Sequence, residues 1–287
     1  MPTRRTFLGM FVMSMLHGQH RDDQMFNDAE SYDRFMGRWS RLGAPLLVDF
    51  AGIADTGGVL DIGSGTASLS FAIAEKKPLC RVLGIDPSQE YVAYATRRNT
   101  FGGRVRFEVG DAQQLRIPDA TFESSLSFLV FNFIPDSRMA LLEARRVTKA
   151  GGRIAATVWD YGAEMRMLRM FWDAAVSLDA TAEALDEKHM PLSRAGELAQ
   201  LWKQCGLDQV EERPLEITMR FKSFADYWDP FLLGQGPAGA YVRRLAPDHV
   251  ARLRDDLKRR LNLISENESF NLPGRFWAVR GTVPPLP

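Results

Sequence analysis

An apolar run that ends in an acid and two glycines constrains the fold of this chain most strongly. The segment between Val59 and Ala67 reads Val-Leu-Asp-Ile-Gly-Ser-Gly-Thr-Ala and stands just before a helical pattern. Residues 58–62 are typical of a buried parallel strand. Gly63 and Gly65 allow a tight turn and let a ligand approach the backbone closely. The segment therefore predicts a strand, a turn and a helix that form a nucleotide-binding site.

Two further acids each follow an apolar strand. Asp86 ends the run of residues 81–85, and Asp111 follows the run of residues 105–109. Ligands of open α/β sheets bind at the carboxyl ends of the strands. Three successive strand ends are therefore expected to bring a carboxylate to the same edge of one sheet.

Strand-like and helix-like segments alternate between residues 58 and 160. This alternation predicts an α/β fold with a parallel sheet and right-handed crossovers. A helix with apolar residues at intervals of three and four is predicted before it, over residues 28–50. The predicted strands of this half are 58–62, 80–85, 105–109, 123–131 and 153–159.

The second half of the chain is richer in helices. Residues beyond 160 contain many Met and aromatic side chains, and Ser193 is expected to cap a helix that runs through Cys205. Residues 208–221 and 276–280 are predicted to be the last two strands. We therefore expect a helical insertion between strands five and six.

Charge and cysteine content argue against several classes of function. Lys plus Arg and Asp plus Glu each number 36, so the formal net charge is zero. A strong electrostatic footprint for nucleic acid is absent, and a small-molecule partner is expected. Cys80 and Cys205 lie far apart in the sequence without metal-ligand spacing, so we expect neither a metal site nor a disulfide.

The three strand ends resemble the cofactor motifs of class I S-adenosylmethionine-dependent methyltransferases. The matching residues are Asp61-x-Gly63-x-Gly65, then Asp86, then Gly110-Asp-Ala112. The likeness covers residues 58–160 and is to the small-molecule type, similar to methyltransferase domains of types 11 and 25. It implies a Rossmann-like, doubly wound sheet that is mostly parallel with an antiparallel last strand.

The resemblance implies S-adenosylmethionine as cofactor and S-adenosylhomocysteine as product. Asp86 would accept hydrogen bonds from both ribose hydroxyls, Asp111 would bind the adenine amino group, and the Ala112 amide would bind the adenine ring. The implied cofactor-binding residues are Tyr32, Arg38, Asp61, Gly63, Ser64, Gly65, Asp86, Pro87, Ser88, Asp111, Ala112, Gln113, Ser127 and Phe128.

The methionine part of the cofactor would lie over the glycine turn. By the same resemblance, Asp61 would orient the turn and meet the ammonium group. Ser127 and Phe128 would line the sulfonium side, and Tyr32 and Arg38 would cover the carboxylate. Packing of the N-terminal helix onto the sheet explains Tyr32 and Arg38 equally well.

The acceptor is expected to be small and fairly hydrophobic, because aromatic residues cluster in the later segments. A cluster of this kind is equally typical of core packing. No base is assigned, since a methyl transfer from a sulfonium needs chiefly an in-line arrangement. The segments that could reach the mouth of the site contain Asn132, Asp160, Tyr161 and His189, and the aromatic cluster comprises Phe224, Tyr227, Trp228, Phe231 and Leu232.

Two other functions remain open at the level of sequence. A nicotinamide-dependent oxidoreductase also has a glycine-rich turn after its first strand, with an acid about twenty residues further on. Its third glycine is replaced here by Ser68. The third possibility is a nucleotide-binding module of the same fold without catalysis.

The sequence divides into a leader and a single domain. Residues 3–16 resemble a twin-arginine export signal, but their apolar stretch of about ten residues is far too short to span a membrane. We expect a disordered leader, or an over-extended start with Met15 as initiator, and a cytoplasmic protein without stable membrane insertion. The predicted units are a leader over 1–27, one domain over 28–287, its cofactor-binding half over 58–160, and helical lid elements over 161–192 and 222–265.

Overall fold

Seven strands form one twisted sheet in the order β3-β2-β1-β4-β5-β7-β6. The structure, a computed structural model, describes residues 28–285. The predicted leader, residues 1–27, lies outside the described residues. The strands are β1 Thr56–Ile62, β2 Leu79–Asp86, β3 Val105–Val109, β4 Phe122–Phe128, β5 Thr148–Trp159, β6 Asp208–Phe221 and β7 Phe270–Thr282.

The sheet is parallel except for β7. Strands β3, β2, β1, β4 and β5 pair in parallel, with Leu60 opposite Leu83 in the β1–β2 pair. Strand β7 runs antiparallel to both β5 and β6, and Phe221 pairs with Phe270 at the far end of the β6–β7 ladder. The predicted Rossmann-like sheet with an antiparallel last strand is confirmed.

Helices cover the sheet, and most of them lie in connections between strands where the sequence predicts a helix. The N-terminal helix α1 consists of the α-helical segments Ala29–Tyr32 and Arg38–Ala51, joined by the π-helical turn Asp33–Gly37. The others are α2 Ser68–Lys76, α3 Gln89–Arg98, α4 Ser137–Val147, α5 Arg166–Leu178, α6 Glu197–Gln204, α7 Phe224–Leu232, α8 Gly236–Arg244 and α9 Pro247–Arg260, with short 3₁₀ helices at Gly102–Arg104, Phe131–Phe133, Ala180–Leu185 and Glu187–His189.

The inserted helices pack onto the sheet through aromatic side chains. Trp159 at the end of β5 stacks on Phe276 of β7, with ring centroids 3.9 Å apart. Phe171 of α5 stacks on Phe231 of α7 at 4.6 Å. Because these rings belong to one continuous core, helices α5 and α7 are held in place above the β5 side of the sheet.

The prediction that Ser193 caps a helix is wrong. Helix α6 begins at Glu197, with Gly196 at its N-cap in a left-handed conformation of φ +85°. The Gly196 and Ala199 amides both donate hydrogen bonds to Glu212 of β6, over 2.5 and 2.8 Å. A carboxylate from a distant strand therefore supplies the cap, and Ser193 Oγ donates instead to the carbonyl of Met190.

Helix length and polarity also bear on membranes. Within residues 28–285, none of the helices is long and apolar enough to cross a bilayer.

Candidate functional site

One large cavity lies at the carboxyl ends of strands β1 to β5, with a volume of about 440 Å³. The predicted acids and glycines of β1, β2 and β3 were expected at this edge. Ten of the fourteen residues predicted to bind cofactor line the cavity in the strand-end region, and Tyr32 of α1 lines it as well. The ten are Gly63, Ser64, Gly65, Asp86, Pro87, Ser88, Asp111, Ala112, Gln113 and Phe128.

The turn after β1 has the backbone that its glycines predict. Gly63 and Gly65 have φ angles of +71° and +50°. A Cβ on Gly63 would stand 2.5 Å from Val130, whereas a Cβ on Gly65 would meet no atom within 4 Å. The open space beside Gly65 and the buried Ser64 Oγ, which has no partner among the described residues, both face a place for a ligand.

Asp86 is fixed at the end of β2 by two backbone amides. Its Oδ2 accepts a hydrogen bond from the Gly65 amide and its Oδ1 from the Ser88 amide, both over 2.9 Å. Burial raises the pKa of the carboxyl, and these two hydrogen bonds oppose that shift. Each carboxylate oxygen has further lone-pair capacity, so the oriented group can accept two ligand hydroxyls.

The loop after β3 is ordered by its own side chains. Asp111 Oδ1 accepts a hydrogen bond from the Gln113 amide over 2.8 Å. Gln113 Oε1 in turn accepts from the Asp136 amide over 3.0 Å. These contacts hold Asp111, Ala112 and Gln113 beside the cavity at the edge of the sheet next to β2.

Three predicted residues lie outside the cavity lining. Asp61 is fully buried beneath the turn, where its Oδ2 accepts a hydrogen bond from Ser70 Oγ over 2.6 Å. Ser127 Oγ donates to the carbonyl of Ile62 over 2.8 Å. Arg38 forms an ion pair with Asp226 of α7 over 2.6 Å. Neighbouring strand residues point to opposite faces, which explains why Phe128 lines the cavity and Ser127 does not.

The roles of these three residues stay predictions. Asp61 Oδ1 is buried and has no hydrogen-bond partner among the described residues. Burial raises the pKa of Asp61 to about 7. Arg38 Nη1 and Nη2 both donate hydrogen bonds to Asp226, while Arg38 Nε is buried without a partner among the described residues.

The β5 end of the cavity is aromatic and was only partly predicted from the sequence. We use this name for the portion lined by Trp159, Tyr161 and Glu187. Trp159 Nε1 is buried without a hydrogen-bond partner among residues 28–285. Glu187 was not predicted as a site residue, because it lies in a run of charged residues and such runs are usually exposed to solvent. In the structure Glu187 is only 5% exposed.

The four residues considered as bases occupy different environments. Only Tyr161 lines the cavity. Asp160 is paired with Arg275 over 2.6 Å, and His189 is exposed beside Glu183. Asn132 is buried, and its amide atoms have no hydrogen-bond partner in the described part of the chain.

Metal-ligating side chains do not cluster in the part of the chain that the structure describes. No group of three or more His, Cys, Asp or Glu residues between 28 and 285 is arranged to hold a metal ion. Cys80 and Cys205 are both buried free thiols. Burial raises the pKa of each thiol, so both are poor nucleophiles.

Similarity to known proteins centres on the same half of the chain. Residues 60–156 match the family model described as a methyltransferase domain. The demethylmenaquinone methyltransferase of Thermus thermophilus is 32% identical over 118 residues, which is 41% of this chain and 52% of that protein. The ubiquinone/menaquinone biosynthesis C-methyltransferase of Geobacter sulfurreducens is 31% identical over 105 residues, which is 35% of this chain and 41% of that protein.

The similarity in structure extends further than the similarity in sequence. Phosphoethanolamine N-methyltransferase 2 of Haemonchus contortus, solved with S-adenosyl-L-methionine, superposes with a TM-score of 0.57 and 17% identity, covering 92% of this chain and 59% of that one. At this identity the match concerns the fold. The alignments with the two quinone-pathway relatives span about half of those proteins or less.

Motif, strand order and family model agree on the half of the chain that contains the cavity. Gly63, Gly65, Asp86 and Asp111 line one cavity at the carboxyl ends of β1 to β3, whereas Asp61 lies buried beneath it. Residues 60–156 thus form a methyltransferase domain, and its motifs and fold support a class I S-adenosylmethionine-dependent methyltransferase.

Proposed function

We propose that this protein transfers a methyl group from S-adenosylmethionine to a small, fairly hydrophobic acceptor. The observation that carries the proposal is one continuous cavity lined both by Asp86 and Asp111 and by Trp159 and Tyr161. A nucleoside and a second molecule would thus lie side by side across the strand ends. The cavity volume of about 440 Å³ is within the usual range for ligand sites.

The nucleoside half of the site fits the cofactor. Asp86, oriented by two amides, would accept both ribose hydroxyls in charge-assisted hydrogen bonds. Asp111 and the Ala112 amide would bind the adenine. Tyr32 would close the cavity from helix α1.

The methionine half would lie over the turn after β1. The bare backbone at Gly65 leaves room for it, and the unpartnered Oδ1 of Asp61 would receive the ammonium group through water. Phe128 would line the sulfonium side. When bound, the cofactor supplies an electrophilic methyl group on a good leaving group, so alignment of the acceptor accounts for most of the required catalysis.

The acceptor would enter at the β5 end. This end offers aromatic surface, and the zero net charge of the chain does not favour nucleic acid. By name, two of the relatives act on demethylmenaquinone or in ubiquinone and menaquinone biosynthesis, which is consistent with a small aromatic acceptor. A cytoplasmic location is part of the same proposal, because the cofactor is made and kept there.

Calorimetric titration with S-adenosylmethionine and with NADH tests this function. We expect the first ligand to bind and the second not to bind. Asp86→Ala should weaken S-adenosylmethionine binding by at least tenfold, because each hydrogen bond to a charged group contributes about 1.5–3 kcal/mol. Asp119→Ala is the control, since the Asp119 side chain is 77% exposed and lies outside the cavity.

These titrations, together with an assay for the methylated acceptor, distinguish the two alternatives. Binding of NADH without a response to S-adenosylmethionine would indicate an oxidoreductase. Binding of S-adenosylmethionine without methylation of any acceptor would favour a binding module that lacks catalysis.

A further inference from the structure

The charged residues that line the cavity are all acids. Among residues 28–285 these are Asp86, Asp111 and Glu187, and no Lys, Arg or His side chain of the described chain takes part in the lining. An anionic acceptor would therefore find no compensating positive charge on the protein itself. Asp86 and Asp111 lie at the β2 and β3 strand ends, which leaves Glu187 as the carboxylate of the β5 end.

Glu187 is held rigidly at the wall of the cavity. It opens the 3₁₀ helix Glu187–His189, and Asp186 caps that helix by accepting a hydrogen bond from the Lys188 amide. Glu187 Oε2 accepts a hydrogen bond from Trp172 Nε1 over 2.8 Å. None of the described residues donates a hydrogen bond to Oε1, although the side chain is buried and lines the cavity.

The tyrosines that line the cavity are not available as bases, because burial keeps their phenols protonated. Burial raises the pKa of Tyr32 to about 12 and that of Tyr161 well above its usual value, with the charge of Glu187 adding to the shift of Tyr161. Both phenols stay protonated near neutral pH and act as hydrogen-bond donors. Burial raises the pKa of Glu187 to about 7, against the opposing hydrogen bond from Trp172.

We propose that Glu187 accepts the proton that the acceptor loses on methylation, and that this acceptor is an apolar aromatic molecule with a hydroxyl or amino group and no anionic group. The inference rests on the proposed function and specifies its acceptor. The free Oε1 supplies the proton-accepting atom, and the rings of Trp159 and Tyr161 supply an aromatic wall that also suits a cationic amine.

The oxygen, nitrogen or ring carbon of the acceptor forms a bond to the methyl carbon, and the carbon–sulfur bond breaks with its electron pair moving to sulfur. The proton of the acceptor goes to Glu187 and then to water. Methylated acceptor, S-adenosylhomocysteine and one proton are the products.

Three probes with one ring system test the specificity of the β5 end. The probes are 1-naphthol, 1-naphthylmethylamine and 1-naphthoate, titrated calorimetrically into the full-length protein saturated with S-adenosylhomocysteine, so that no turnover occurs. We expect the alcohol and the amine to bind, and the carboxylate to bind at least tenfold more weakly than the amine. This comparison uses the wild-type protein alone and does not depend on the folding of a variant.

Glu187→Gln tests the residue itself. The variant keeps the shape of the side chain and an oxygen for Trp172 Nε1, so we expect S-adenosylhomocysteine affinity to stay within threefold of wild type, about 0.7 kcal/mol. The ratio of the affinity for the amine to the affinity for the carboxylate should fall towards one. Glu183→Gln is the matched control, because Glu183 is 45% exposed and pairs with Lys188 at the surface; it should keep the wild-type preference.

Three results would overturn the inference. They are equal binding of naphthoate and amine by the wild-type protein, an unchanged preference in Glu187→Gln, and no binding of either the alcohol or the amine to the S-adenosylhomocysteine complex. Failure of the protein to bind S-adenosylhomocysteine at all would instead contradict the proposed function, so the two failures are distinguishable.

Discussion

Burial controls the protonation of the ionisable side chains around the cavity. Asp61 and Glu187 both have their pKa raised to about 7 by burial, whereas Asp86 keeps two amide donors that partly oppose the same effect. Carboxyl groups of different basicity thus line one cavity, as Asp86 and Glu187 do, or lie buried beneath it, as Asp61 does. A group with a pKa near the working pH is well suited to proton transfer.

Asp61 should make the stability of the ligand-free protein depend on pH. Its pKa is raised from 3.8 to about 7 in the folded state. Between these values the unfolded chain releases a proton that the folded chain retains, so the free energy of unfolding falls as pH rises. The total effect is on the order of 4 kcal/mol. Urea unfolding of wild type and Asp61→Asn from pH 4 to pH 8 measures it: we expect the wild type to lose stability relative to the variant across this range, and parallel curves would contradict the assignment.

The two glycines of the β1–α2 turn should respond differently to substitution. Both have a positive φ, so alanine at either site adopts a left-handed conformation at a cost of about 1–2 kcal/mol. Gly63→Ala also forces a Cβ against Val130, which should add about 1–3 kcal/mol. Gly65→Ala meets open space and serves as the matched control for stability. Chemical denaturation would reveal the difference, and equal losses would show that Val130 moves aside.

At the residue level, local spacing was sufficient to predict the turn and its acids but not the β5 end. Gly63, Gly65 and Asp86 are marked by their positions at strand ends, which a sequence shows directly. Glu187 stands in the run Asp-Glu-Lys-His, and only the packing of Trp172 and Tyr161 distinguishes it from the solvated acids beside it.

At the level of elements, the ion pair between Arg38 and Asp226 connects helix α1 to helix α7. The Arg38 guanidinium donates to Asp226 Oδ1 over 2.6 Å and to the Asp226 carbonyl over 3.0 Å, and it lies 4.1 Å from the ring centroid of Trp39. The two helices belong to opposite ends of the sequence. This contact therefore holds the wall of the cavity formed by α1 against the later helices.

A double-mutant cycle should show that this pair is coupled. We expect Arg38→Met and Asp226→Asn to have a coupling free energy of unfolding near 1 kcal/mol, because both side chains are about three-quarters buried and geometrically well matched. The surface pair of Lys76 and Asp49, with side chains 36% and 60% exposed, is the control and should couple by less than about 0.5 kcal/mol. Coupling of the first pair no larger than that of the control would argue against a structural role.

Elements that depend on local pattern were predicted, and elements that depend on distant partners were not. The strands and helices of residues 58–160 follow from apolar runs and turn residues. The π-helical turn Asp33–Gly37 interrupts a helix whose apolar spacing looks regular, yet it brings Phe35 and Met36 to the cavity. The start of α6 depends on Glu212, which becomes a neighbour only after the sheet has formed.

For the whole molecule, a ligand that bridges the strand ends should stabilise the fold. The proposed ligand contacts the ends of several strands and helix α1 together. S-adenosylhomocysteine at 100 times its Kd should therefore add about 2.7 kcal/mol to the free energy of unfolding, provided that it binds only the folded state. We expect a rise in Tm of about 5–10 °C by calorimetry. The Asp86→Ala variant at the same ligand concentration should show a clearly smaller rise, and equal shifts would exclude Asp86 from the ligand contacts.

The long connection between β6 and β7 begins and ends beside the paired residues Phe221 and Phe270. Their rings stack with centroids 5.1 Å apart. Helices α7, α8 and α9 lie between these two strands in the sequence, so the chain leaves the sheet and returns to it beside this pair of rings. The free-energy cost of closing a loop grows only slowly with its length. A longer, shorter or unrelated connection could therefore evolve between the same two phenylalanines. A lineage could thereby change the helices that pack against α5, near the acceptor end of the cavity, while inheriting the nucleoside half intact.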